Sequence, residues 1–424
     1  MDTGVEDEVH DEVFPKVAAP ADGSRWTAPT DIEQRLHSLC AKDNDHAYLR
    51  TVALEGVYYP VRLDVARARR EDGDDASADL PMLTVDAPDG RTVAQVYTTG
   101  LLPRPHPYLV YEYASLGRLA FDLPAHVDVL AVNVATPCER YFATDAEERK
   151  AWLESHNELF DPDALADRVV TLRSGGPGQG DLLHGLACGA HLCFANGEPW
   201  NAHHWHGGKG HTGEVDRMAE GWDVGDRDDW LDTQERLLLR EVSPWGWDFV
   251  LDARTSLLEG AADGGADPRR WRDHAEEVLR ARLAEAGRAT AEQTGELVHK
   301  VRALVGSVLR YESRFRADGL LPPGGRIRSV AAWDLGRASQ MARWGRGARY
   351  ATQAETYAAL ERVSRVARVM YGSWEEFSAG YVLGRCLHFD EESFGSWYTE
   401  VLDAHRALTT DPDGPWRTVP FTAD

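Results

Sequence analysis

The sequence predicts an α+β protein: a mixed α/β N-terminal module, then a larger and mostly α-helical module. Three observations lead there. Short β-branched runs bounded by turn residues cluster between Val57 and Asn133. Apolar residues at helical spacing dominate after the glycine-rich stretch that starts at Ser174. The chain has 424 residues, enough for more than one buried core.

Residues 1–30 are acidic and then rich in Ala and Pro, a composition expected to remain a disordered tail. The first module is expected over 31–172. Asp31-Ile32-Glu33-Gln34 starts a helix with Leu36 and Leu39 on its apolar side. Strands are expected at 57–61, 81–85, 92–98 and 127–133, with Asp89-Gly90 as a hairpin turn. Residues 67–79, dense in Arg, Asp and Glu, read as a solvated loop, and 146–159 as a helix. Ser174-Gly175-Gly176-Pro177-Gly178-Gln179-Gly180 makes 173–181 the linker.

The helical domain is expected over 182–421. Helices are read at 181–196 and 229–239. Asp267 caps another, with Pro268 at its first position, running to about Glu285. A long helix fits 290–315, with Gly319 past its end. Trp333, Met341, Trp344 and Ala348 share a face. Thr352-x-x-Glu355 and Ser373-x-x-Glu376 are capping boxes; the second opens a stripe of Trp374, Phe377, Tyr381, Gly384 and His388. Asp390 is read as the cap of a last helix carrying Phe394, Trp397, Val401, Leu402 and His405. Four consecutive amphipathic helices with short joints must pack together.

The formal net charge of -24 repels phosphate backbones and disfavours nucleic-acid binding. No apolar run approaches the roughly eighteen residues of a membrane span, and the acidic start lacks the features of a secretory signal, so a cytoplasmic protein without membrane contact is expected. Five scattered cysteines read as reduced thiols. Arg greatly outnumbers Lys among the basic residues, which with abundant Ala, Gly and Asp suggests a GC-rich genome.

Trp333-Asp334-Leu335-Gly336-Arg337, Ala342-Arg343-Trp344-Gly345, Ser373-Trp374-Glu375-Glu376-Phe377, Tyr381-Val382-Leu383-Gly384-Arg385 and Gly414-Pro415-Trp416-Arg417 follow one another in that order. Together they resemble the bacterial domain-of-unknown-function family that includes the YbeU and YbeR proteins, over about residues 183–421. The strand ending Val96-Tyr97-Thr98-Thr99, and Leu130-Ala131-Val132-Asn133 followed by Thr136-Pro137, resemble the SseB N-terminal domain over about residues 31–160. Val134-Ala135 stands where that family has a Pro-Gly-like turn. The resemblances imply architecture and a bacterial source; neither implies a reaction or a cofactor.

Two groups of residues could carry chemistry. Asp334, Arg337, Arg343, Trp344, Trp374, Glu375, Tyr381 and Arg385 could line a charged pocket with aromatic walls, where Arg would grip a carboxylate or phosphate. The reading preferred over that pocket is a hydrogen-bonded polar network that fixes how the helices cross. His204, His206, His211 and Glu214 could hold a divalent metal such as zinc, although no tetrahedral ligand signature is present and a polar Gly-rich loop accounts for them as well. Arg326, Arg328, Arg337, Arg343, Arg346 and Arg349 form a local basic run, either a solvated face or a receptor for an acidic partner. The expectation is a non-enzymatic interaction or regulatory protein with a protein partner and no cofactor, accessory or immunity-like in a conflict or secretion system. The alternatives are an enzyme or small-molecule sensor using the Arg/Trp pocket, or a metal-dependent hydrolase using the His-rich loop.

Overall fold

The computed structural model describes residues 26–72, 79–163, 165–174, 176–202, 209–259, 267–287 and 289–422. It is α+β, with all strands of the described residues before residue 144 and helices prevailing after 180. Two compact units emerge. One comprises 1–178, 196–230 and 343–356; the other comprises 179–195, 231–342 and 357–424. No helix among the described residues is long and apolar enough to cross a membrane.

In the first unit, helices Asp31–Cys40 and Asp45–Glu55 precede strand β1 (Val57–Arg62). Helix Leu63–Asp72 follows directly, so Arg67 to Asp72 is helical where a loop was expected. Ala and Arg are strong helix formers, and local charge does not oppose that. Strand β2 (Thr84–Asp86) turns through Asp89-Gly90 into β3 (Thr92–Val96), with Gly90 at φ 86° as the hairpin requires. Strand β4 (Leu109–Ala114) pairs antiparallel with β1, β5 (Val129–Val132) runs parallel to β3, and β6 (Arg140–Ala143) pairs antiparallel with β5. A bridge between Tyr58 and Tyr97 links β1 to the end of β3.

Leu36, Val52, Val61, Leu130, Val132 and Trp152 meet in the core of this unit, Trp152 coming from helix Ala146–Leu159. A buried polar knot ties the strand ends to the first helix. Glu33 completes a capping box with Thr30, and its carboxylate also accepts from the Thr98 hydroxyl at 2.6 Å and the Gly100 amide at 3.1 Å. Asn133 accepts from the Thr98 amide at 2.9 Å. After β5, Asn133 and Ala135 take φ of 54° and 61°, the left-handed region that asparagine tolerates and alanine disfavours.

In the second unit, residues 181–196 form two helices, Asp181–Cys188 and Ala190–Asn196, where one was expected. The break falls at Gly189, where a Cβ would lie 2.8 Å from Ser339 Oγ. Helices Trp245–Glu259, Pro268–Ala286 and Ala291–Ala317 pack side by side. Asp267 and Thr290 cap the last two, Thr290 with Gln293 as a full box. Arg254 and Glu312 form a buried bidentate pair at 2.9 and 2.8 Å, with the guanidinium 4.4 Å from the Trp271 ring. Helices Ala331–Gly347, Gln353–Met370, Trp374–Phe389 and Ser396–Thr410 complete the module. Asp390 does not cap the last of these. It ends the preceding helix, and its carboxylate accepts from the amides of Phe394 and Gly395, the Ser393 hydroxyl and the Tyr311 hydroxyl.

Two substitutions test these local constraints. Ala135→Gly should stabilise the protein by about 1 kcal/mol, read as a higher urea midpoint, because it relieves a left-handed Cβ. Gly185→Ala should destabilise it by roughly 2 kcal/mol or more, since a Cβ there would meet the Leu360 carbonyl oxygen at 2.1 Å and a backbone oxygen has no rotamer to escape into.

Candidate functional site

Asp334 and Arg337 lie in a helical stretch that is buried on every face: Asp334 is 1% exposed and Arg337 7%. The Asp334 carboxylate accepts from the Ser243 amide at 3.2 Å and the Ser243 hydroxyl at 2.8 Å, and it pairs with Arg337 one turn on. Arg337 Nε donates to the Trp333 carbonyl at 3.2 Å, and the guanidinium sits 4.4 Å over the Trp333 ring. Burial pulls the Arg337 guanidinium below its ordinary value, while the charge of Asp334 opposes that. The arrangement clamps the Ser243 segment to the central helix.

The remaining residues of the expected pocket are distributed differently. Tyr381 joins the cluster: Trp333 meets it edge-on at 5.0 Å, and His191 stacks on it at 4.2 Å. Burial pushes its hydroxyl up to about 12. Trp374 stacks on His184 and on Trp416, its indole N–H donating to the Val419 carbonyl at 2.7 Å. Glu375 is exposed. Arg385 lies against Phe389 and Trp397 and donates to Glu400 at 3.3 Å.

Arg343 and Trp344 belong to the first unit. Arg343 donates to the Pro199 carbonyl at 2.7 Å and lies 4.0 Å from Glu198. Glu198 also takes a 2.7 Å bond from Arg217, which is 3.7 Å from Glu214 and 5.4 Å from the Trp344 ring centroid. Two buried carboxylates therefore face two guanidinium groups. His211 Nδ1 is 3.0 Å from the Gly347 carbonyl, which makes this nitrogen the donor and leaves the lone pair on Nε2. Burial lowers His211 to about 4, so the ring is neutral at pH 7. His204 and His206 lie outside the described residues. Among the described residues, no three His, Cys, Asp or Glu are grouped so as to hold a metal ion.

The expected basic run is not a uniform face. Arg328 pairs with Glu376 at 2.7 Å, Arg337 with Asp334, and Arg343 with Glu198. Arg349 donates to the carbonyls of His106 and Leu109.

Two features escaped the sequence reading. The first is a buried chain in which Ser378 Oγ lies 3.0 Å from His191 Nε2 and 2.8 Å from His405 Nδ1. Burial holds both imidazoles below their ordinary value, His405 at about 4. The hydroxyl can donate to one ring and accept from the other, so both are held neutral. Ser378 is mid-helix and fully buried, with no free backbone N–H beside it for an oxyanion, so this is a packing device. The second is an exposed aromatic pair, Phe389 and Trp397, stacked at 4.8 Å and 19°. Trp397 had been read as part of a buried stripe, yet it is 44% exposed. By spacing Trp397 shares the face of Val401, Ala404 and Leu408; what sets it apart is its place in the first turn of the helix, after a Ser/Gly joint.

Asp334→Ala should cost roughly 3–5 kcal/mol in urea unfolding by stranding the Arg337 charge, and Asp334→Leu with Arg337→Met should recover most of that loss. Acid should act through the buried histidines. His184 and His405, both lowered to about 4, stay neutral while the unfolded chain takes up protons below about pH 6.5. Each of these two histidines should therefore make stability fall as the pH drops from about 6.5 toward 4. His405→Gln should reduce the slope by about one proton, read from urea midpoints across this range.

Residues 217–421 match the model of a family described as a protein of unknown function, DUF1266. The match covers slightly less than half of the 424 residues and lies mostly in the helical part. No curated protein and no solved structure matches the chain. From Arg217 onward, then, the chain is similar to an uncharacterised domain family whose description assigns no activity.

Proposed function

We propose that this chain is a non-enzymatic interaction or regulatory protein of the bacterial cytoplasm, accessory or immunity-like in a conflict or secretion system. In this reading the helical part is akin to the YbeU and YbeR proteins, and the N-terminal part to the SseB N-terminal domain. The observation that carries it is the exposed Phe389–Trp397 stack: large aromatics held at a surface with Arg beside them are the composition of interaction hot spots. The Asp334–Arg337 pair adds support. Its carboxylate is already engaged by Ser243 and Arg337, which suits a structural clamp better than a ligand grip.

Affinity capture of the tagged protein from its native host, at native expression, tests the reading. One enriched, stoichiometric partner that captures the chain reciprocally is the expected result. A partner-free elution, or turnover of a small substrate that depends on Arg337 or Arg343, would overturn it.

A further inference from the structure

Helix Trp374–Phe389 ends, and helix Ser396–Thr410 begins, at one surface of the second unit. Phe389 is the last residue of the first helix and Trp397 sits in the first turn of the second. Their rings stack at 4.8 Å, and they are 38% and 44% exposed. Arg385 packs against both rings, 5.7 Å from the Phe389 centroid and 5.2 Å from that of Trp397. Its own charge is answered by Glu400 at 3.3 Å.

The joint between the helices is held in one shape. Glu391, Glu392 and Phe394 have φ of 48°, 61° and 53°, left-handed values for residues with side chains. The Asp390 carboxylate pins that path through bonds of 3.0 to 3.1 Å to Phe394, Gly395, Ser393 and Tyr311. Glu391, two residues after Phe389, and Glu400, three after Trp397, are exposed, and Glu400 is the partner of Arg385. The surface therefore combines an apolar centre with two exposed carboxylates and one guanidinium, and it needs no rearrangement before binding.

Charge selects the occupant. A second copy of the chain carries a net charge of -24 and is repelled. The chain's own N-terminus carries Asp2, Glu6, Asp7, Glu8, Asp11 and Glu12 before its first Lys or Arg, and is repelled as well. We infer that this surface docks a basic, arginine- or lysine-bearing segment of a partner protein, whose cation meets the exposed parts of Trp397 and Phe389, pairs with Glu391 and shares Glu400 with Arg385. A cation against a Trp ring, with carboxylates nearby, combines two attractions that the acidic field of the whole chain steers together.

This inference rests on the interaction reading, and the experiment separates the two. The probe is a fluorescein-labelled oligo-arginine peptide at near-physiological salt, followed by anisotropy, with oligo-glutamate as the counter-probe. Wild type should bind oligo-arginine and not oligo-glutamate. Phe389→Ala with Trp397→Ala should weaken binding about tenfold or more. Glu400→Gln, a single exposed change that spares the aromatic pair, should weaken it roughly threefold. Phe121→Ala, which removes an aromatic exposed on helix Leu116–Asp122 of the first unit, should leave it within about twofold, because it removes area without this surface. Unchanged affinity in both Glu400→Gln and the double variant, or equal loss in Phe121→Ala, would overturn the inference. Affinity capture then divides the outcomes. A partner retained equally by the double variant keeps the interaction reading and removes this surface. A partner-free elution with Trp397-dependent peptide binding does the reverse.

Discussion

A helix buried on all sides must have every polar side chain answered from its neighbours, and the second unit is built around one. Residues 331–342 have no exposed face, yet they include Asp334, Arg337, Ser339 and Gln340. Ser243 and Arg337 answer Asp334. Ser339 donates to the Gly185 carbonyl at 2.8 Å, and Cys193 lies 3.6 Å from the Gln340 side-chain oxygen. Each bond fixes a different neighbour, so polar satisfaction as well as shape determines how the helices are set around this one. Close approach is the second half of the constraint. A Cβ on Gly336 would meet the Tyr381 ring at 2.8 Å, and one on Gly384 would meet Trp333 Cβ at 2.4 Å. Glycines at these contacts let the helix axes come near enough for the short polar side chains to reach.

What could be read from the sequence was local. The Thr352–Glu355 box closes as expected, with Thr352 N on the Glu355 carboxylate at 2.8 Å and Glu355 N on the Thr352 hydroxyl at 3.3 Å. The helix Ala146–Leu159 and the Asp89-Gly90 hairpin also follow from local signals. In the Ser373 box, Glu376 reaches one residue further back than the pattern implies, to the Gly372 amide at 2.8 Å. Strand β4 was missed because Glu112 interrupts its apolar run. That carboxylate is buried, and the Thr212 amide and hydroxyl, a hundred residues later, bind it. The parallel pairing of β3 with β5 rests on contacts that no local pattern carries.

The candidate site was legible in its residues but not in its grouping. Asp334 with Arg337 at i,i+3 was readable as a pair, and it is one. Arg343 and Trp344 follow on the same helix, yet they lie in the other compact unit with Glu198 and Arg217. Sequence proximity drew attention to the histidines near His211. The histidines that do meet, His191 and His405, are brought together by Ser378 from three separate helices. Their spacing along the chain holds no trace of that, because it follows from packing around the central helix.

The aromatic residues show how the same constraint reaches the surface. Trp333 is fixed beneath the Arg337 guanidinium, and its ring then meets Tyr381, His388 and Phe389. Phe389 is supported from below and cannot turn inward, since the space is filled. The turn that follows runs through left-handed residues that each cost roughly 1–2 kcal/mol. A fold under no other demand could have used glycine at those positions. Here Glu391, Glu392 and Phe394 occupy them, with the Asp390 carboxylate offsetting the strain through four hydrogen bonds. The stack outside the core and the turn that aims it are thus consequences of buried polar groups several residues away. A surface so rigidly supported can bind without first being ordered.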